Sequence, residues 1–287
     1  MKYLVTIALS VVSIGGAQAV SLINLSFSGA MTPGQQQTFV DAAKFWNTVI
    51  TGYDLSYNWN GQAQAHGLTI TASLPEIDGI GSVLGSAGPT SITYYDNNPL
   101  GLPSVALQYA TTGIMQFDAA DVGVMVASKT FYGVVLHEMA HVIGFGTLWT
   151  TQTNLNSTVF NLYADGTGQY VGANALSQWQ SEFNRPFDTF VPVELGGGSG
   201  TANGHWNEND GGYPSTGIRS ADTGMDLSNE LMTGWASETF FVSRATLGAI
   251  DDLGYTVDYS LAGVVVPEAS CLQLGLVAGM LLLRRRR

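Results

Sequence analysis

The segment Thr130 to Phe145 constrains the chain most. Its apolar residues fall on nearly every side, so as a helix it must be buried. Yet it carries His137-Glu138-Met139-Ala140-His141. Two imidazoles at i and i+4 lie one turn apart on one helical face, and both can reach a single metal ion. The glutamate beside the first can stand next to a metal-bound water and take its proton. The bland alternative is a pair of satisfied helix histidines with an ordinary surface glutamate. It fits poorly, because two imidazoles and a carboxylate in apolar surroundings need partners.

Catalytic zinc typically takes three protein ligands and keeps one position for water. After His141 come Val142-Ile143-Gly144, similar to the spacing at which metzincin peptidases turn toward a third histidine three residues on. That position here is Thr147, so the short form of the motif is not met. The chain has four histidines, which leaves His66 and His205. His66 lies in a polar, glycine-flanked run (Gln62 to Gly67) and reads as a surface histidine. His205 follows Gly196-Gly197-Gly198-Ser199-Gly200-Thr201-Ala202-Asn203-Gly204, an approach that lets backbone come close to a metal. Glu208 and Glu230 stay open as acidic alternatives for the third ligand.

Around this centre the pattern is mixed. A short strand signal near Ser26 precedes a helix that starts at Thr32-Pro33, with Phe39, Ala42, Ala43, Phe45, Trp46 and Ile50 at helical spacing. Leu68 to Leu74 alternates as a half-buried strand, and strand-like runs follow at Val105 to Tyr109 and Ile114 to Phe117. From Gly146 to Gly234 turn signals dominate, apart from a short helix around Ala175 to Phe183. A long irregular stretch of this kind is usually functional. The last helix, about Ser243 to Leu253, ends at Gly254. Asp118 and Asp121, just before the central helix, read as caps or turn residues, with calcium as the lesser alternative. The expected class is α+β, with a mixed sheet, a buried active-site helix and a loop-rich C-terminal subdomain.

Charge narrows the partners. Only 11% of the 287 residues are charged, and five of the ten basic ones (Lys2 and Arg284 to Arg287) stand at the extreme ends. The body therefore sets five basic residues against nearly all of the 22 acidic ones. Such a surface repels phosphate backbones, which excludes nucleic acid as a partner. The one cysteine, Cys271, lies in the apolar tail, so neither an intramolecular disulfide nor a cysteine-based metal site can form.

Both ends read as addresses. Lys2, a short apolar run and Ala17-Gln18-Ala19 make residues 1–19 a secretory signal peptide cut after Ala19. At the other end, Pro267-Glu268 precedes an apolar stretch from Cys271 to Leu283 and four arginines. This order resembles the PEP-CTERM sorting tails, which implies processing by an exosortase-type membrane protease. Ala269 departs from that pattern, and a permanent tail anchor is the alternative. The expected division is 1–19 signal, 20–262 catalytic domain and 263–287 sorting tail. The product is secreted or held at the cell surface, and touches membrane only through the uncleaved tail. Asn24-Leu25-Ser26 and Asn156-Ser157-Thr158 fit a glycan-acceptor pattern.

The run His137 to Trp149, together with Gly204-His205-Trp206 and Glu230-Leu231-Met232-Thr233-Gly234, resembles the leishmanolysin-like branch of the metzincins in its bacterial form. That branch delays its third histidine by a long insertion, as the Thr147 position calls for. The resemblance implies His137, His141 and His205 as zinc ligands, Glu138 as catalytic base and Met232 as the Met-turn methionine beneath the metal. It implies a Zn²⁺-dependent endopeptidase acting on protein or peptide, with the strand near Ile114 to Phe117 as an edge that pairs with substrate. Trp206 to Leu231 is longer than the resemblance leads one to expect, with an added run around Asp210 to Met225. Gly234 leaves no tyrosine where some metzincins place a hydrogen-bond donor. A non-catalytic surface module with structural zinc is the rival reading.

Overall fold

A computed structural model of the chain describes residues 21–54, 67–81, 83–96, 106–150, 162–208 and 215–267. The signal segment, His66, Asn156 and the tail from Glu268 onward, including Cys271, lie outside the described residues.

The N-terminal half is a four-stranded sheet covered by two helices. Strands β1 (Ile23–Ser28), β3 (Leu68–Ser73), β4 (Gly85–Asp96) and β5 (Ala106–Phe117) are ordered β1-β3-β5-β4. The first three are parallel, and β4 runs antiparallel along β5. Alternation drives β3 inward at Leu68, Ile70 and Ala72. Helix α1 (Pro33–Val49) starts on a capping box in which Thr32 and Gln35 satisfy each other's backbone N–H, and buries Phe39, Ala42, Ala43, Trp46 and Val49. Helix α2 (Ala119–Ala127) follows β5, and helix α3 (Phe131–Ile143) is buried along nearly its whole length. Gly113 of β5 lets α3 lie directly on the sheet, because a side-chain carbon there would overlap Val142.

Two expectations are corrected. The two expected runs fall, from Ala106 to Tyr109 and from Ile114 to Phe117, in one strand, β5, whose middle (Ala110 to Gly113) lacks large apolar residues; Val105 lies outside the described residues. That strand also lies inside the sheet. The edge on that side is β4, to which no other strand pairs among the described residues. Gly85, Gly88 and Pro89 hide β4 from a propensity reading, and an edge position tolerates all three.

The C-terminal half is small pieces locked by side chains. Helix α4 (Ala173–Glu182) packs on α5 (Arg244–Asp252), with Gly248 against the Ala175 backbone. Asp252 accepts from the Asn174 and Ala175 N–H groups and so caps α4 from outside it. Short ladders complete the half: β2 (Ile50–Tyr53) with β9 (Tyr255–Val257), β6 (Gln169–Tyr170) with β7 (Val191–Pro192), and β8 (Thr239–Phe241) with β10 (Val265–Pro267).

Candidate metal centre

Helix α3 is held at its middle and at its C-terminal end. The Trp46 indole N–H donates to the Leu136 carbonyl at 3.0 Å, one residue before His137. The Tyr255 hydroxyl donates to the Ile143 carbonyl at 3.1 Å, at the last helical residue. The chain then turns through Gly144 (φ +136°) and Gly146 (φ +71°), the second a conformation that favours glycine. Thr147 donates its hydroxyl to the His141 carbonyl at 2.6 Å, tying the turn back onto the helix. Gly146 meets Gly204 backbone to backbone, so the turn leaving α3 sits against the residue before His205.

His137, His141 and His205 converge. Their Nε2 atoms form a triangle with sides of 3.0, 3.0 and 3.1 Å. Each Nδ1 faces a main-chain carbonyl: His137 that of Leu231 at 2.7 Å, His141 that of Phe145 at 2.8 Å, His205 that of Thr201 at 2.8 Å. A carbonyl only accepts, so each Nδ1 carries the proton and each Nε2 presents a lone pair. Three lone pairs at this distance repel one another unless a cation stands between them. Tetrahedral coordination at 2.0–2.1 Å per nitrogen needs nitrogens about 3.3 Å apart, close to the observed triangle. The donor set therefore fits Zn²⁺.

Burial favours the neutral imidazole. It lowers His137 to about 3, with His205 adding to the effect, and holds His141 well below the usual histidine range. His205 is lowered for the same reason. Glu138, between the two helix histidines in sequence, is pushed up to about 7 by desolvation. Met232 is fully buried, next to the Leu231 carbonyl that orients His137. Its own carbonyl accepts from Trp206, the neighbour of His205.

The acidic alternatives lie elsewhere. The Glu230 carboxylate is consumed by the Met232 N–H at 2.5 Å, the Ser243 N–H and hydroxyl, and the Thr246 hydroxyl. Glu208 is buried but does not belong to the histidine cluster. Asp118 caps α2 through Ala120 and accepts three further N–H groups from Ile77, Asp78 and Gly79. Those donors hold its carboxyl down at about 2 and leave no face for calcium. One oxygen of Asp121 accepts from Gly81. The carbonyls of Leu231, Phe145 and Thr201 escaped the sequence reading, because a main-chain acceptor has no residue-type signature.

The leishmanolysin family model (Peptidase_M8) matches residues 106–274, which contain all three histidines. A leishmanolysin homolog from Crithidia fasciculata is 29% identical over 123 residues, 42% of this chain and 16% of that protein's length. The chain thus aligns with a small part of that relative. With the family model covering more than half of its residues, the chain belongs to the leishmanolysin family.

Proposed function

We propose that the chain is an exported zinc endopeptidase in which His137, His141 and His205 hold the metal and Glu138 is the general base. The observation that carries this reading is the inward-facing triangle of Nε2 atoms, each fixed by a carbonyl behind it. Zinc, when bound, supplies a Lewis acid that acidifies a coordinated water and offsets negative charge on the substrate carbonyl oxygen. Glu138 takes the proton of the attacking water at its carboxylate and delivers it to the leaving amine. Desolvation raises the affinity of the Glu138 carboxyl for a proton, which suits both halves of that transfer. Met232 and Leu231 form the floor that keeps His137 aimed. Strand β4 offers its free edge to an extended peptide, the role first expected of the neighbouring strand.

The proposal extends to the ends of the chain. Residues 1–19 direct export, and residues 263–287 are a PEP-CTERM-type tail processed by an exosortase-type protease. Release to the cell surface or medium would follow, with bacterial origin implied by the tail.

Chelation tests the reading. Hydrolysis of an unfolded protein should stop with 1,10-phenanthroline and return when zinc is restored. Hydrolysis that is indifferent to the chelator contradicts it. Zinc bound at the histidines with no hydrolysis of any peptide would favour the surface-module reading.

A further inference from the structure

Glu230 is a buried acid that the proposed chemistry leaves unused. It is 1% exposed and forms no ion pair among the described residues. Donors converge on its carboxylate instead. Oε2 accepts from the Met232 N–H, and Oε1 accepts from the Ser243 N–H and hydroxyl and from the Thr246 hydroxyl. Each oxygen thus faces a backbone N–H that can only donate. Two of these contacts lead on to the histidines. The Met232 N–H and the Leu231 carbonyl are the two ends of one peptide unit, and that carbonyl accepts from His137 Nδ1 at 2.7 Å. The unit is planar, so fixing its N–H end fixes the direction of its carbonyl. A carboxylate acceptor at one end also polarises the unit and strengthens the acceptor at the other.

The second path runs toward His205. The Trp206 indole N–H donates to the Thr246 hydroxyl at 2.9 Å, and that hydroxyl donates to Glu230 at 2.6 Å. Trp206 also gives its backbone N–H to the Met232 carbonyl at 3.0 Å. The residue that follows His205 is therefore held by main chain and side chain alike. Its ring meets that of Phe145 edge-on, centroids 5.0 Å apart, and the Phe145 carbonyl faces His141 Nδ1. We propose that Glu230 is a positioning residue of the metal centre, aiming His137 through the Leu231–Met232 peptide and His205 through Thr246 and Trp206. Metal-bound histidines often give their second ring N–H directly to a carboxylate. Here a peptide unit stands between the two. The inference rests on the zinc reading above and adds to it the group that sets the ligand geometry.

The test measures zinc affinity by chelator competition, and the visible d–d bands of the Co²⁺-loaded full chain, which report ligand geometry. Glu182→Gln is the control: Glu182 is also buried, but its carboxylate serves Ser220 and the Arg244 N–H. Glu230→Gln should weaken zinc by roughly 10- to 100-fold and shift the Co²⁺ bands, whereas Glu182→Gln should bind as the wild type does. Thr246→Val cuts only the second path and should weaken zinc about tenfold, while Thr246→Ser keeps the hydroxyl and the affinity. Wild-type affinity and bands in a folded Glu230→Gln overturn the inference, and so does an equal loss in Glu182→Gln. If Glu230→Gln does not fold, the two Thr246 variants decide, and equal affinity in both overturns it. A wild type that binds no zinc overturns the zinc reading itself, and this inference with it.

Discussion

Gly146 and Gly204 touch backbone to backbone: a side-chain carbon on Gly146 would overlap the Gly204 carbonyl oxygen. This contact brings a histidine from a distant loop onto the helix that carries the other two. Gly146→Ala adds that carbon at φ +71° and must push the loop away. Zinc affinity should fall at least tenfold, and stability by about 1 to 3 kcal/mol. Competition with a chromophoric chelator measures the first; an unchanged affinity would remove the contact from the account.

His205→Ala should lose zinc far more readily than the wild type, because Glu230 is fully engaged elsewhere and Glu208 does not join the cluster. Metal analysis after dialysis gives the answer. Near-normal retention would mean that an acidic group replaces His205 as ligand.

Trp46→Phe keeps the aromatic packing of α1 but removes the N–H that reaches the Leu136 carbonyl. A loss of about 1 to 2 kcal/mol in denaturant unfolding is expected, from the hydrogen bond and the residual gap. A variant as stable as the wild type would show that this bond does not anchor α3.

Glu182 sets a pH dependence of stability. Burial raises its carboxyl to about 7 from a usual 4.5, against the hydrogen bonds of Ser220 and the Arg244 N–H. The folded state thus holds the proton more tightly than the unfolded chain. The stability this contributes is full below about pH 4.5 and is lost as pH rises through 7. Glu182→Gln should flatten unfolding free energy between pH 5 and 8 by on the order of 1 to 3 kcal/mol. An unaltered pH profile would contradict this assignment.

The legible parts of the fold were those with local signals. Thr32-Pro33 announces α1, the apolar surround announces α3, and Ser243 with Gly254 brackets α5. Helix α2 was missed because Val124 and Val126 face solvent and blur its periodicity. Strand β4 was missed because glycine and proline at a sheet edge look like a turn. In the candidate site, spacing alone pointed to His137, Glu138 and His141. It named His205 only by elimination and resemblance, since its placement depends on the Gly146–Gly204 contact.

The most direct test of the central claim compares wild type with Glu138→Gln for zinc content and casein hydrolysis in the same preparation. The account predicts one zinc per chain in both proteins, with hydrolysis lowered by about 10² to 10⁴ in the variant. Equal hydrolysis by the two proteins, or a wild type that binds no zinc, would contradict it.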